Sequence, residues 1–217
     1  MIQDPEKTTW RELSARAVFT GARVLEVGCG DGRVTRMYAH APRLTAGLEP
    51  EAESLATAAS AAQNACFVSG SGTRLPFRAG VFDIVLFTLS LHHNPNPDTA
   101  LAEAGRVLAD RGNVLVLEPA PEGEIQRLCN VFNNEDRELI EADRAVRRSG
   151  LSLAGQSSFS TRWIFENADE VINYAYDYYR AGREESRTRA MLDFLGAKAG
   201  DSPLEMSDTL VLSRLTA

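Results

Sequence analysis

Val24-Leu25-Glu26-Val27-Gly28-Cys29-Gly30-Asp31-Gly32 is the stretch on which the reading of the chain turns. Strand-like residues run into three glycines at alternate positions, and a helical pattern starts directly afterwards. A strand, a tight turn and a helix N-terminus together make a pocket for a nucleotide-like ligand. Glycine accepts positive φ and lets a ligand approach without meeting a Cβ. The dinucleotide fingerprint G-x-G-x-x-G would need its last glycine at Arg33, so G-x-G-x-G stands in its place.

Working outward, the first 22 residues are polar and then carry Trp10, Leu13, Ala17 and Val18, the spacing of a short amphipathic leader helix. Trp10 is read either as a lid over the ligand or as simple packing. After the glycine turn a helix is expected from Gly32 to Ala41, stopped by Pro42. Leu44 to Leu48 reads as the second strand and ends in Glu49-Pro50. A Glu at that distance from the glycines is where dinucleotide sites bind ribose hydroxyls. The competing reading is a charge at the start of the next helix, beside Glu51 and Glu53. Cys66 to Val68 is a third strand, followed by Ser69-Gly70-Ser71-Gly72. Phe82 to Phe87 is the fourth, apolar enough to be covered on both faces. Asn96-Pro97 reads as a cap and first turn of a helix, and Val114 to Leu117 as a fifth strand ending in Glu118-Pro119.

Five alternations of strand and helix indicate a doubly wound α/β sheet. Its ligand edge would carry the glycine turn, Glu49, Gly70 to Gly72, Leu89 to His93 and Glu118. Beyond residue 120 a charged helix (135–148), a strand (153–165), helices at 168–179 and 185–198 and a last strand (208–215) are expected. The chain is read as a single domain over 1–217. It comprises a leader at 1–22, a cofactor-binding half at 23–120 and a substrate-side half at 121–217 with a helical insertion at about 167–200.

A net charge of −7 argues against a nucleic-acid partner. The basic run Arg144-Ala145-Val146-Arg147-Arg148 lies among Glu138, Glu141 and Asp143 and reads as a solvated helix face. No apolar run reaches membrane-spanning length, and Met1 to Lys7 lacks a signal-peptide core, so a cytoplasmic location and no membrane partner are expected. Cys29, Cys66 and Cys129 are sparse and unpatterned, which suits reduced thiols rather than disulfides, and no metal is expected.

Four segments resemble the class I S-adenosylmethionine-dependent methyltransferases, and within them the small-molecule branch similar to ubiquinone/menaquinone biosynthesis enzymes (methyltransferase type 11 domain). They are Val24 to Gly32; Gly47-Leu48-Glu49-Pro50; Leu75-Pro76-Phe77 with Phe82-Asp83-Ile84-Val85; and Leu91-His92-His93 with Arg106-Val107-Leu108 and Val114 to Pro119. Order and spacing match over about residues 20 to 120. The resemblance implies a Rossmann-like seven-stranded sheet, order 3-2-1-4-5-7-6, with the last strand antiparallel, helices on both faces and a helical insertion between strands 6 and 7.

It also implies site residues. Glu26, Gly28, Cys29, Gly30 and Gly32 would hold the methionine part of S-adenosylmethionine. Glu49 and Pro50 would meet the ribose, and Ser71, Gly72 and Thr73 the adenine. Leu89, Ser90 and His92 would border the methyl end. The family often has Asp where Ser71 stands, which implies weaker adenine recognition here.

The implied activity is methyl transfer to a small-molecule acceptor by in-line displacement, leaving S-adenosylhomocysteine. No catalytic residue is fixed by the motifs. His92 and His93 are the candidates for a base, needed only if the acceptor must lose a proton. Tyr174, Tyr176, Tyr178 and Tyr179 are read as pocket lining or core. The helices at 167–200 are read as a lid, a dimer surface or both, which leaves a homodimer open. Two other readings stand: a non-catalytic S-adenosylmethionine-binding protein, and a nicotinamide-dependent oxidoreductase, which Arg33 disfavours.

Overall fold

The computed structural model describes residues 1–217. In chain order the elements are β1 (Ile2–Gln3), α1 (Thr8–Arg16), β2 (Arg23–Val27), α2 (Thr35–Tyr38), β3 (Leu44–Glu49), α3 (Ala52–Ala61) and β4 (Cys66–Ser69). Then follow β5 (Phe82–Thr88), α4 (Pro97–Val107), β6 (Leu108–Pro119), α5 (Glu124–Cys129) and α6 (Asp136–Arg148). The chain ends with β7 (Ser152–Phe165), α7 (Ala168–Tyr178), α8 (Glu185–Leu195), a 3-10 turn at Gly196–Gly200 and β8 (Leu204–Thr216).

Two compact units form. The first comprises Trp10–Glu118, Glu138–Ser157 and Val211–Ala217, and its strands run in the order β7-β8-β6-β5-β2-β3-β4. β2 pairs in parallel with β3 and β5, β3 with β4, and β5 with β6. Side chains two apart on a strand share a face. Leu25 and Val27, Val85 and Phe87, and Val114 and Val116 therefore meet one apolar cluster with Leu101, Ala104 and Val107 of α4 and Ala142, Ala145 and Val146 of α6. The intervening Val24, Ile84, Leu86, Leu115 and Leu117 are buried as well, as expected of strands covered on both faces. Pro97 opens α4, and the Asn96 side chain caps it by accepting from the Thr99 N–H at 2.9 Å.

The second unit comprises Met1–Thr9, Pro119–Arg137 and Ser158–Leu210. Its strands are β1, β7 and β8, and its core joins Ile125 and Leu128 of α5, Val171, Ile172 and Ala175 of α7, and Met191 and Leu195 of α8. Phe132 stacks on Tyr179 at 4.9 Å and meets Tyr176 edge-on at 5.1 Å. Arg187 lies over the Phe132 ring and Arg183 over the Tyr176 ring, each at 5.4 Å. Tyr176 is core, its hydroxyl donating to the Glu184 carbonyl at 2.7 Å, whereas Tyr178 is exposed.

Four expectations are corrected. The sheet has eight strands rather than seven, because Ile2–Gln3 adds an edge strand that pairs antiparallel with Ile164 and Trp163. The leader is therefore a strand and a helix. Asp4 separates them, its carboxylate accepting from the Thr8 and Thr9 N–H groups at 2.8 Å each. The helix expected over 32–41 shrinks to the four residues of α2: Gly32 at φ +78° keeps residues 32–34 in the turn, and residues 39–41 lie past its C-terminal end. α5 was not expected at all, its six residues being too short to show a period.

Trp10 packs: its ring is 5.0 Å from Phe19 and 6.5 Å from Tyr38. The arginines of α6 are ion-paired on the surface, Arg144 with Glu141, Arg147 with Asp143 and Arg148 with Asp98. No helix is long and apolar enough to cross a membrane.

Phe87 is completely buried at the centre of the first unit's core. Phe87→Ala is expected to cost about 3–5 kcal/mol through lost burial and a residual cavity, read as a lower denaturant midpoint at an unchanged slope.

Candidate active site

The ends of four neighbouring strands, β2, β3, β4 and β5, bring the expected residues together, all within the first unit. The glycine turn folds back over β3, with the Gly28 and Cys29 N–H groups donating to the Leu48 carbonyl at 2.7 and 3.1 Å. Gly28 has φ +72°, and a Cβ there would stand 2.5 Å from the Ser90 Cβ, so both backbone and space demand glycine. Gly30 has φ +53° and open space where its Cβ would be. α2 is too short to supply a helix-end dipole of consequence, so the turn itself is the binding feature.

Glu49 is the polar wall of this opening. Its Oε2 accepts from the Gly30 N–H and its Oε1 from the Glu51 N–H, each at 3.0 Å. A carboxylate has about four acceptor sites. Two backbone donors therefore fix its orientation and leave capacity for two further hydroxyl donors. Gly70 follows beside it, its N–H donating to the Glu49 carbonyl at 3.3 Å. In the next loop the Ser71 and Thr73 hydroxyls are 2.9 Å apart, and the Thr73 N–H donates to Ser71 Oγ at 3.3 Å. Arg106 steadies the loop end by donating to the Leu75 and Phe77 carbonyls at 3.0 and 2.9 Å.

Glu26 points inward. It is fully buried, and its carboxylate accepts from the Thr35, Thr88 and Tyr38 hydroxyls, the last at 2.8 Å. It supports the turn from beneath rather than lining its open side. Burial raises its pKa, and the three hydroxyls partly offset that rise. Cys29 is buried too. Burial, helped by the charges of Glu26 and Glu49, pushes its thiol up to about 12, so it stays protonated. Cys66 is exposed, and burial pushes Cys129 to about 11.

At the end of β5, Leu89 takes φ +57°, a strained conformation for a residue with a Cβ, and its N–H donates to the Leu117 carbonyl at 2.7 Å. Ser90 Oγ then donates to the Val27 carbonyl at 2.6 Å, tying this loop to the glycine turn. His92 is buried, and its Nδ1 meets Glu118 Oε2 in a very short contact. The other oxygen of Glu118 accepts from the Leu91 N–H at 2.7 Å and the His92 N–H at 3.4 Å. His93 is exposed, its ring centroid 3.9 Å from that of His92. The pairing of Glu118 with His92 was not foreseen. The signal available was the second Glu-Pro at a strand end, echoing Glu49-Pro50. A groove of about 390 Å³ lined by Arg16, Asp83, Asp110, Asn113 and Arg214 lies at the opposite strand ends, away from all these residues.

This fold and edge define a Rossmann-like methyltransferase framework. The methyltransferase domain family matches residues 25–116. The chain is 33% identical over 111 residues to a demethylmenaquinone methyltransferase of Renibacterium salmoninarum, covering 50% of this chain and 47% of that protein. It is 30% identical over 183 residues to the uncharacterized methyltransferase YcgJ of Bacillus subtilis, covering 80% and 70%. A crystal structure from Bacillus halodurans superposes with a TM-score of 0.70 at 20% identity, over 96% of this chain and 98% of that one, a likeness of fold. The chain belongs to the S-adenosylmethionine-dependent methyltransferase family. It spans about half the length of the Renibacterium relative.

Because folding raises the Glu26 pKa above its ordinary 4.5, the folded state holds this proton more tightly than the unfolded chain. Its contribution to stability is full below 4.5 and is lost as pH rises through the higher folded value. Glu26→Gln keeps the shape and removes the charge. The variant's stability, measured by urea unfolding, is expected to gain on the parent as pH rises through that window.

Proposed function

We propose that this protein binds S-adenosylmethionine at the glycine turn and transfers its methyl group to a small-molecule acceptor. The observation that carries the reading is Glu49, held by the Gly30 and Glu51 N–H groups with acceptor capacity remaining, beside a turn with open space at Gly30. That donor and acceptor set fits a ribose with two hydroxyls. When bound, the cofactor supplies an activated methyl on a sulfonium sulfur, which a nucleophile displaces to leave a neutral thioether.

The chain's own residues align and desolvate. Gly28, Cys29, Gly30 and Gly32 give the methionine portion close access to backbone, and Glu26 holds that backbone in place. Glu49 takes the ribose hydroxyls, with Pro50 beside it. Ser71, Gly72 and Thr73 face the adenine, Ser71 with a neutral oxygen where the family often has a carboxylate. Leu89, Ser90 and His92 border the methyl end. Three free cysteines suit a reducing, cytoplasmic setting.

Calorimetry tests the reading directly. S-Adenosylhomocysteine and S-adenosylmethionine are expected to bind and NAD is not. Glu49→Ala should weaken S-adenosylhomocysteine roughly 10- to 100-fold, the loss of about 1.5–3 kcal/mol of charge-assisted hydrogen bonding. A protein that does not bind S-adenosylhomocysteine sinks the proposal. One that binds it but releases no methyl group across a metabolite panel is a binding protein only.

Ser71→Asp should tighten S-adenosylhomocysteine by restoring a charged acceptor at the adenine. Weaker binding by this variant would remove Ser71 from the adenine site.

A further inference from the structure

Asn94 touches two of the loops that make up the ligand edge. It lies in the loop after β5, two residues before the cap of α4, and is half-buried. Its Nδ2 donates to the Ser90 carbonyl at 2.8 Å, closing that loop onto itself. Asparagine side chains commonly bond nearby backbone in turns, so this bond alone is ordinary. The other arm of the carboxamide is not. Oδ1 occupies the space in which a Gly72 side chain would begin, 2.4 Å from an ideal Cβ, and Val27 Cγ1 stands 2.9 Å from the same point. From this arrangement we infer that Asn94 is a positioning residue, through which the seat of the adenine sets the loop at the methyl end. The inference rests on the S-adenosylmethionine reading above.

The backbone of Gly72 rests on Asn94 and Val27, and both lead to Ser90. Asn94 holds the Ser90 carbonyl, while Val27, the last residue before the glycine turn, accepts from Ser90 Oγ at 2.6 Å. Ser90 is buried and follows Leu89, whose φ of +57° persists only where its surroundings hold it. The His93 N–H also donates to the Ser90 carbonyl, at 3.3 Å. The Asn94 side chain makes the shorter of the two bonds and so fixes where the loop closes.

Residue type matters here. A carboxamide presents donors on one arm and an acceptor oxygen on the other, in one plane. One arm meets the Ser90 carbonyl and the other packs against Gly72, so a shift at either is carried across. Aspartate has no donor for Ser90, and alanine reaches neither side. Any residue larger than glycine at position 72 displaces the oxygen arm. In a reaction that works by alignment, binding energy at the nucleotide end raises the rate only when it orients the reacting end. Asn94 supplies that connection.

Two measurements test it: the amide spectrum of the free protein and calorimetry with S-adenosylhomocysteine. Gly72→Ala puts a Cβ against Oδ1, and the ¹H–¹⁵N signals of Ser90, Leu91 and His93 are expected to move in response. In an Asn94→Ala background the same Gly72→Ala change should leave those signals in place. N94A should weaken S-adenosylhomocysteine roughly 3- to 10-fold, the loss of one hydrogen bond. N94D keeps the shape without the donor and should lose as much. G72A/N94A should bind no worse than G72A, because residues linked by contact do not add.

The inference is overturned if Gly72→Ala leaves the Ser90 to His93 signals unmoved. It is equally overturned if they move alike in both backgrounds, since the path then runs through Val27. Parental S-adenosylhomocysteine affinity in both N94A and N94D overturns it as well, and these two variants decide alone if G72A does not fold. A parent that binds no S-adenosylhomocysteine overturns the underlying function instead, and the ligand-free spectra still decide the coupling.

Discussion

A single buried carboxylate ties the glycine-turn edge of the sheet together. Glu26 has no contact with water, and three hydroxyls from two elements, Thr35 and Tyr38 of α2 and Thr88 of β5, replace it. A charge at that depth is tolerated only when its lone pairs are met, so each donor must be delivered accurately. Tyr38 is aimed by its own packing, with Phe19 at 5.3 Å and Trp10 beyond it. The leader segment thus reaches the site indirectly. Trp10 sets a ring, the ring sets a hydroxyl, and the hydroxyl holds the acid beneath the glycines.

The two Glu-Pro strand ends solve one problem twice. Each puts a carboxylate at the end of one strand and uses backbone N–H groups of the loop after the neighbouring strand to orient it. Glu49 ends β3 and takes Gly30 from the β2 turn; Glu118 ends β6 and takes Leu91 and His92 from the β5 loop. In parallel sheets these loops start side by side, so a fixed acid at one strand end is always within reach of its neighbour. What differs is the remaining acceptor capacity. Glu49 keeps its remaining capacity, whereas Glu118 gives it to an imidazole.

Much of this was legible in the sequence because it depends on local pattern. The apolar runs at Val24, Phe82 and Val114 are recovered as central strands, and Asn96-Pro97 caps its helix as read. What escaped was non-local or very short. β1 exists only because β7 offers an edge to two residues. α2 lost three expected residues to the turn that precedes it and three at its C-terminal end. The partners of Glu26 lie 9, 12 and 62 residues away, and Glu118 lies 26 from His92. No periodicity records such distances. Glu26 was assigned with the glycines to the methionine part of the cofactor; its burial beneath the turn and its three hydroxyl partners are what the motif could not record.

The protonated state of Cys29 has a consequence for self-protection. A sulfonium methyl is an electrophile, and a thiolate is the strongest nucleophile a side chain ordinarily offers. A cysteine within a turn that bound such a group would be a hazard if it ionised. With its pKa at about 12, the thiolate fraction at neutral pH is on the order of 10⁻⁵. Burial of the thiol is the main cause of that suppression, and the charges of Glu26 and Glu49 add to it. Burial first, and the two carboxylates beside it, would therefore keep the turn from reacting with such a ligand.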